Sequence, residues 1–249
     1  MDNRREVPRL AELTWPEAAA WFRNDPRLIW PIGSLMQHGP HLPLDTDTRI
    51  TCALAEGIGQ RYGVLVAPTL PFGAGSDIDR TYAGTGVVGH KTLHHALNDV
   101  VGSWVDQGLR DLVLLTSNGF GPHYRALVSV MAGDLRIRAV DANVVDITPA
   151  LRSPRLPERA GEMETALMMY LFPKAVRHQA IEDAEDADVD RASRFSRLDG
   201  TEPVPLPGSN GVLGRPKAAT AAKGRRVFEY LVDYIGERLF GQEASDERE

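Results

Sequence analysis

The sequence predicts an α/β protein with three layers, in which a mainly parallel sheet lies between two layers of helices. Apolar runs of strand length recur along the chain, and the segments between them are long enough for crossover helices. Glycine, proline or polar residues follow directly after three of the four runs. Because ligands bind beyond the carboxyl ends of parallel strands, we expect the functional residues in those loops.

The four predicted strands are apolar along almost their whole length, as is typical of strands that are buried on both faces. They span residues 28–32, 64–67, 112–116 and 144–147. Strands of this kind need helices on both sides of the sheet, which is the three-layer α/β/α arrangement.

Apolar residues at helical spacing predict the helices of the outer layers. They indicate helices over residues 47–61, 91–108 and 124–135. Near the C-terminus, apolar residues recur every fourth position from Val227 to Leu239 and predict a further amphipathic helix.

The bulk composition is typical of a globular protein. Of the 249 residues, 43% are hydrophobic and 25% are charged, and we expect residues 1–249 to form a single domain. The formal net charge of −6 and the lack of a clustered basic face argue against nucleic acid as a partner. Small molecules or proteins are the expected partners.

Cysteine content and hydropathy indicate the compartment. Cys52 is the single cysteine, which excludes an internal disulfide framework and favours a reducing environment. No segment approaches the roughly 20 apolar residues of a membrane-spanning helix, and the first residues lack the apolar core of a signal peptide. We therefore expect a cytoplasmic protein that does not bind membranes.

Two segments depart from this pattern. Residues 181–214 begin with an acidic run and continue through a basic stretch into repeated prolines, which predicts an extended arm or loop. An arm of this length could also reach a neighbouring subunit. Residues 242–249 are polar and predict a frayed tail.

The segment 31–47 is the most informative part of the chain. It follows an apolar run, and its prolines and glycines are typical of a rigid loop that presents ligands at the end of a strand. It contains two imidazoles and two carboxylates, from His38, His41, Asp45 and Asp47. Imidazole nitrogen and carboxylate oxygen together suit Zn²⁺, Mn²⁺ or Fe²⁺. The alternative is a polar surface loop without a ligand.

Four loop segments, taken in order, resemble the creatininase family of cyclic-amide and amide hydrolases. The segments are residues 38–47, 73–85, 117–123 and 159–165, and the resemblance extends over nearly the whole chain. The first motif of the family reads approximately GS-x-E-Q-H-G-P-H-L-P-L-x-T-D. In register with it, this chain has Gly33, Ser34, Gln37 through Leu44, Thr46 and Asp47.

Two stretches are most similar to the branch of that family that includes the mycofactocin maturation peptidase. They are the extended first motif over residues 41–48 and the segment 210–214, which is followed by Ala219, Thr220 and Ala221. The resemblance implies a three-layer fold, hydrolysis of amide bonds, a site for two divalent metals, and a homo-oligomer that is often a hexamer.

The resemblance also implies a set of metal ligands. In the family pattern, one metal is held by the Glu of the first motif, by the Asp that ends it and by the His of an N-G-H-G-G-N loop. The other is held by the motif His, the same Asp and a Glu from an H-A-G-x-x-E-T-S helix start. Carried over residue by residue, His38, Asp47 and Glu164 hold this second metal, whereas Asp47 is the one ligand kept for the first.

This chain departs from the family pattern at two of these ligand positions and at the His that opens the helix motif, which in creatininase resembles a proton-transfer residue. Met36 replaces the motif Glu, Phe120 replaces the loop His, and Arg159 replaces the His that opens the helix motif. A thioether is a weak, soft ligand, and a phenyl ring has no lone pair to offer. We therefore expect at most one divalent metal, Zn, Mn or Fe, and no second metal. The fixed charge of Arg159 also favours an anionic group on the substrate.

The general base stays open among several residues. Glu162, Asp45, Asp79 and His123 lie in or near the motifs that carry the expected ligands, and each could be the base. Glu162, Asp45 and His123 form the candidate catalytic set together with Arg159. Either His41 or His123 could act as a replacement ligand or as a proton carrier.

Simpler interpretations compete with these roles. His38 and Asp47 could form a satisfied polar network that supports the loop. Glu164 and Glu162 could be first-turn charges that complement the dipole of the following helix.

The function that these residues favour is hydrolysis of an amide, lactam or peptide-like bond in a small molecule or modified peptide, assisted by one metal. One alternative is a metal-free enzyme that uses the same pocket. Another is a binding or assembly subunit without hydrolytic activity. The substitutions at Met36, Phe120 and Arg159 motivate both alternatives.

Overall fold

Parallel strands form the central sheet of this computed structural model, which describes residues 9–152, 158–184 and 209–241. The strands are β1 (Arg27–Pro31), β2 (Leu65–Val66), β3 (Asp111–Thr116) and β4 (Arg136–Asp141), and their order in the sheet is β2-β1-β3-β4. All three pairs are parallel, and β1 pairs with β3 along its whole length. The loops that leave β1 and β3 therefore emerge side by side at the carboxyl edge of the sheet.

Helices cover both faces of this sheet. They are α1 (Trp15–Asn24), α2 (Thr46–Tyr62), α3 (His90–Asp106), α4 (Gly121–Val128), α5 (Thr148–Leu151), α6 (Glu162–Leu171) and α7 (Ala221–Phe240). Helices α1, α3 and α4 pack on one face, whereas α2, α6 and α7 pack on the other. Within the described ranges, no helix combines the length and the apolar character that crossing a bilayer requires.

Alternation along the strands sends apolar side chains into both helix layers, because successive residues of a strand point to opposite faces. Leu28 of β1 belongs to the cluster with α1, α3 and α4, whereas Ile29 belongs to the cluster with α2, α6 and α7. Leu114 and Leu115 of β3 divide between the two clusters in the same way. The expected three-layer α/β/α architecture is confirmed.

The predicted position of the fourth strand is wrong. The apolar run predicts it at residues 144–147, but β4 spans Arg136–Asp141, and Ala142–Val144 form a 3₁₀ turn in which Val144 is 71% exposed. β4 is the edge strand of the described sheet, and most of its residues are half-buried. An edge strand does not need a continuous apolar run, so that criterion misses it.

The predicted helices are found at α2, α3 and α7, but the one predicted over residues 124–135 begins and ends earlier. α4 starts at Gly121, and Pro122 fits its first turn because the N–H groups there have no partner within a helix. The helix ends at Val128, and a turn with Gly133 at φ +50° follows.

Most of the predicted arm over residues 181–214 lies outside the described residues, as does the predicted tail over 242–249. The end of the arm segment is described and packs on the chain. Leu213 pairs with Arg159 through backbone hydrogen bonds of 2.7 and 2.9 Å. That residues 1–249 form a single domain stays a prediction.

Helices α6 and α7 approach each other closely at Gly224. A Cβ atom on Gly224 would lie 1.8 Å from the carbonyl oxygen of Ala166, so only glycine permits this crossing. The contact fixes the position of α6, whose first turn carries Glu162 and Glu164.

We expect Gly224→Ala to lower the free energy of unfolding by about 1–3 kcal/mol, as is typical of overpacking in a buried contact. Gly102→Ala in α3 is the matched control, since nothing lies within 4 Å of its Cβ position. Alanine is favoured over glycine in a helix by about 1 kcal/mol, so the control should be neutral or stabilised. Urea unfolding measures both variants, and equal effects would contradict the close helix crossing.

Candidate metal and active site

The loop after β1 is anchored to the first turn of α2. Gly33 contacts Thr48 so closely that a Cβ on Gly33 would lie 2.2 Å from Thr48 Oγ1. Thr48 Oγ1 donates to the Ser34 carbonyl at 2.8 Å and accepts from the Ser34 N–H at 3.1 Å. Asp47 precedes Thr48 in the same turn, so the anchor also fixes Asp47 beside the loop.

Three side chains from different elements converge beside this loop. His38 lies in the loop, Asp47 in the first turn of α2 and Glu164 in the first turn of α6, and they are 0%, 0% and 3% exposed. One nitrogen or oxygen of each lies within 4.8 Å of those of the other two. His38 Nε2 is 2.9 Å from Asp47 Oδ1 and 3.9 Å from Glu164 Oε2. The residues that the sequence predicts as metal ligands therefore lie together, and their role as ligands stays a prediction.

The hydrogen bond of His38 Nδ1 determines which role Nε2 can take. Nδ1 lies 3.0 Å from the carbonyl oxygen of Met36, which can only accept, so Nδ1 carries a proton. Nε2 then faces two carboxylates. In the imidazolium form it donates a hydrogen bond to them, and in the neutral form it offers a lone pair to a cation. Metal-binding histidines commonly donate their other N–H to a carbonyl in this way.

Burial and charge act in opposite directions on the cluster. Burial is the largest influence on the pKa of His38 and lowers it, but the charges of Asp47 and Glu164 outweigh burial, so this pKa is raised. Burial also raises the pKa of Asp47, yet His38 and Arg159 leave it lowered. The pKa of Glu164 is raised, chiefly by burial. The raised pKa of His38 and the lowered pKa of Asp47 favour an ion pair between the two side chains.

The two oxygens of Asp47 have different partners. Oδ1 faces His38, whereas Oδ2 accepts hydrogen bonds from Ser34 Oγ and, at 3.3 Å, from Asn118 Nδ2. Asn118 follows β3, so the loops after β1 and β3 meet at this carboxylate. Two donors use the lone pairs of Oδ2, and Oδ1 is left to face His38 and Glu164.

The donor set fits one divalent cation. One imidazole and two carboxylates are buried together, and three protein ligands with an open position for water are typical of catalytic zinc sites. Among the residues that the structure describes, no other group of three His, Cys, Asp or Glu side chains has comparable spacing. The residues present at positions 36 and 120 do not fit a second cation.

The positions that depart from the family pattern lie beside this cluster. Met36 is completely buried, and its Sδ contacts Arg159 Nη1 and lies 3.7 Å from Asn118 Nδ2. Phe120 precedes α4, and its N–H donates to Asn118 Oδ1 at 3.1 Å. A thioether therefore lies next to Asn118, and a guanidinium lies next to that thioether, where the family pattern has a carboxylate and an imidazole.

Two of the candidate catalytic acids take part in ion pairs. Glu162 Oε1 pairs with Lys223 Nζ of α7, and Lys223 also donates to the Ala218 carbonyl at 2.9 Å. Asp45 Oδ1 lies 2.7 Å from Arg49 Nε, one turn further along α2. Asp45 is half-exposed, whereas Glu162 is buried on the same turn as the cluster residue of α6. The proposed roles of both acids in proton transfer stay predictions.

His123 is fully buried, and both of its ring nitrogens are engaged. Nδ1 accepts from the Ala74 N–H at 3.1 Å, so Nε2 carries the proton and donates to Thr116 Oγ1 at 3.1 Å. Burial lowers the pKa of His123 to about 4. This geometry favours a neutral group that holds the 73–85 loop against the end of β3, and the catalytic role suggested by the sequence stays a prediction.

His41 lies next to the cluster but is not one of its three members. Its Nε2 is 2.9 Å from Thr165 Oγ1, and its Nδ1 has no hydrogen-bond partner among the described residues. Burial and the charge of His38 lower the pKa of His41 to about 4. A neutral imidazole with an unused nitrogen is compatible with either role that the sequence suggests, replacement ligand or proton carrier.

Sequence reasoning does not assign roles to three residues of the site. Ser34 and Asn118 hydrogen-bond Asp47, and both lie in the motif segments at strand ends, which is a signal that could identify them. Lys223 pairs with Glu162 from a position 61 residues further along the chain. No local pattern indicates this contact, because it depends on how α6 and α7 cross.

The chain belongs to the creatininase family. The family model described as creatinine amidohydrolase matches residues 11–239, and the expected resemblance is thereby confirmed. Membership places the protein among the amidohydrolases, which are hydrolases that act on C–N bonds.

Relatives and solved structures agree with this assignment. A Mycobacterium tuberculosis protein named mycofactocin precursor peptide peptidase is 34% identical over 239 residues, which cover 92% of this chain and 90% of that protein. The creatinine amidohydrolase of Pseudomonas putida is 28% identical over 257 residues, which cover 92% and 95%. A crystal structure of creatininase matches with a TM-score of 0.75 at 24% identity, over 96% of this chain and 98% of that chain, and supports the fold.

We predict that His123 makes the fold less stable in mild acid. Its pKa is lowered from 6.5 to about 4 in the folded protein, so the unfolded chain binds more protons between these pH values. The stabilisation is complete above pH 6.5 and is lost as the pH falls toward 4. From pH 7.5 to 5.5, this residue alone should lower the free energy of unfolding by about 1 kcal/mol.

His123→Gln tests this, since glutamine keeps a donor and an acceptor but does not titrate. Urea unfolding gives the free energy of unfolding at pH 7.5 and at pH 5.5. The decrease between these pH values should be about 1 kcal/mol smaller in the variant than in the wild type. His178→Gln, at an exposed position, is the control and should leave the difference unchanged. If His123→Gln lost as much stability between pH 7.5 and 5.5 as the wild type does, His123 would not be a buried neutral imidazole.

Proposed function

We propose that the protein is an amidohydrolase in which His38, Asp47 and Glu164 hold one divalent metal, and that it cleaves an amide, lactam or peptide-like bond of a small molecule or modified peptide. The observation that carries this proposal is the buried convergence of three ligand atoms within 4.8 Å. Family membership supports the class of reaction, and the name of the mycobacterial relative supports a peptide-derived substrate. Zinc, manganese and iron all suit this donor set.

A divalent cation held by His38, Asp47 and Glu164 would supply Lewis-acid chemistry, which activates water near neutral pH and polarises a carbonyl group. The residues of this chain prepare the site for that chemistry. The Met36 carbonyl keeps the proton on Nδ1 of His38, which leaves Nε2 directed at the carboxylates. Ser34 and Asn118 fix Asp47, and burial excludes bulk water and so strengthens the local electrostatics.

Among the candidate bases, we propose Glu162 for proton transfer. It lies in the same turn of α6 as Glu164, and its ion pair with Lys223 keeps a carboxylate available as an acceptor. Asp45 is paired with Arg49 on a half-exposed surface, and His123 has both nitrogens engaged, so both are less suited to this role. Arg159 is proposed as a group that binds substrate.

Zinc-loaded protein freed of excess metal is expected to hold about one ion per chain, since one complete ligand set is present. His38→Ala and Asp47→Asn should hold far less than one ion, because each removes a ligand. His178→Ala and Asp45→Asn are the matched controls and should keep the metal. Elemental analysis by mass spectrometry measures the content of each protein.

Amide hydrolysis should stop when the metal is removed and return when zinc or manganese is added back. Release of a new amine from a panel of N-acylated peptides measures it. A wild type without bound metal, together with unchanged turnover in His38→Ala and Asp47→Asn, would contradict the metal-dependent mechanism.

A second candidate is an altered homologue without a metal. The observation that favours it is charge balance, since the cations Arg159 and protonated His38 lie beside the carboxylates of Asp47 and Glu164. Turnover that survives complete chelation would favour a metal-free enzyme. Mixed oligomers recovered with an active paralogue would instead favour a binding or assembly subunit.

We also propose that the chain acts as a homo-oligomer in the cytoplasm, in secondary metabolism. Family membership supports the oligomer, for which a hexamer is the expected state, and the relative's name supports a modified-peptide pathway. The free thiol of Cys52, whose pKa is raised by burial, suits a reducing compartment. The net charge of −6 gives no support for nucleic acid as a partner.

A further inference from the structure

Arg159 is a buried cation that has no carboxylate in ion-pair contact among the described residues. Its side chain is 6% exposed, and its guanidinium contacts Met36 Sδ. A guanidinium keeps its charge at every physiological pH, and a buried charge that contacts no counter-ion is costly. The carboxylates of Asp47 and Glu164 act on it only at longer range. Thioether sulfur is a weak acceptor and compensates little of this cost.

Two other arginines that are mostly buried have close carboxylate partners. Arg138 Nη2 contacts the two carboxylate oxygens of Asp111 at 2.7 and 2.6 Å, and Arg27 Nη2 lies 2.7 Å from Asp25 Oδ2. Arg159 is more buried than either and makes no such pair. Its environment is therefore that of a site prepared for an anion from outside the chain.

Arg159 also lies next to the proposed metal site. Asn118 Nδ2 connects them, because it lies 3.7 Å from Met36 Sδ and donates to Asp47 Oδ2 at 3.3 Å. The charge of Arg159 reaches His38, Asp47 and Glu164, since it acts on the pKa of each. A substrate bound at the cluster therefore places the groups that flank its amide beside this guanidinium.

The backbone around Arg159 is fixed in position. Its N–H donates to Leu213 and its carbonyl accepts from Leu213, at 2.7 and 2.9 Å. The next residue, Ala160, has φ +54°, a region that is costly for a residue with a Cβ, and its N–H donates to Glu164 Oε2 at 2.5 Å. Such strain clusters at functional sites. The hydrogen bond of Ala160 connects the backbone next to Arg159 to Glu164.

We propose that the Arg159 guanidinium is a fixed cation that takes the place of the family's other metal position, and that it binds a carboxylate of the substrate. This inference rests on the proposed amidohydrolase function and defines its substrate class as peptide-like amides with a carboxylate near the scissile bond. A planar guanidinium forms two parallel hydrogen bonds with a carboxylate, which neither a lysine ammonium nor a thioether can do.

Binding of two small probes to zinc-loaded protein tests this proposal. N-acetylglycine has an amide and a carboxylate, whereas N-acetylglycinamide has an uncharged amide in place of the carboxylate. The wild type should bind the acid about 10- to 100-fold more tightly, the range expected of a hydrogen bond to a charged group. Arg159→Met should lose this preference, and Arg159→Lys should keep part of it. Calorimetric titration measures the affinity of each of the three proteins for each probe, and circular dichroism checks folding.

The metal content of each protein separates this proposal from the proposed function. Arg159→Met is expected to keep its zinc, because Arg159 is not a ligand. If this variant keeps zinc and still prefers the acid, the carboxylate binds elsewhere and the proposal is overturned, while the one-metal function stands. Equal binding of both probes to the wild type would also overturn it. A wild type without zinc would contradict the proposed function, and its preference between the probes would still test Arg159.

A reverse replacement tests the relation to the other metal position. In one chain, Met36→Glu and Phe120→His restore the two family ligands that this chain lacks, and Arg159→His removes the guanidinium and restores the His that opens the helix motif. Metal content is expected to rise from about one to about two ions per chain, with loss of the preference for the acid. A content that stays at one in the folded triple variant would overturn the claim that Arg159 takes a metal position.

Discussion

The carboxylate of Asp47 is the group on which the rest of the site depends. It lies where the loops after β1 and β3 meet the first turn of α2, and its two oxygens are used differently. Oδ2 is saturated by Ser34 and Asn118, whereas Oδ1 faces His38 and Glu164. This division supports the proposal of a single metal, because the hydrogen bonds to Oδ2 leave Oδ1 as the oxygen that faces the other two proposed ligands.

The substitutions at Met36, Phe120 and Arg159 are consistent with one another. A thioether and a phenyl ring cannot hold a hard cation, and the guanidinium that contacts the thioether supplies a positive charge without any ligand. Met36 still contributes its carbonyl oxygen, which orients His38, while its side chain contacts Arg159. These substitutions support the proposal that a permanent cation, the Arg159 guanidinium, takes the place of one metal ion, while the residues proposed to hold the other are kept.

The sequence predicts the fold and the site to different extents. The layers and most helices follow from apolar patterning, but β4 does not, because an edge strand such as Arg136–Asp141 lacks the apolar run of a buried strand. The convergence of His38, Asp47 and Glu164 is predicted only through the family motif, since the residues lie on three elements. The pairing of Lys223 with Glu162 is out of reach of any local pattern, because it depends on the crossing of α6 and α7 at Gly224.

Anomalous diffraction at the zinc edge, from crystals grown with excess zinc, tests the central claim most directly. We expect a single peak between His38 Nε2, Asp47 Oδ1 and Glu164 Oε2, and no peak beside Met36 and Arg159. Two peaks of comparable height, or three side chains joined only by water, would contradict a site that has kept one metal position and replaced the other with a guanidinium.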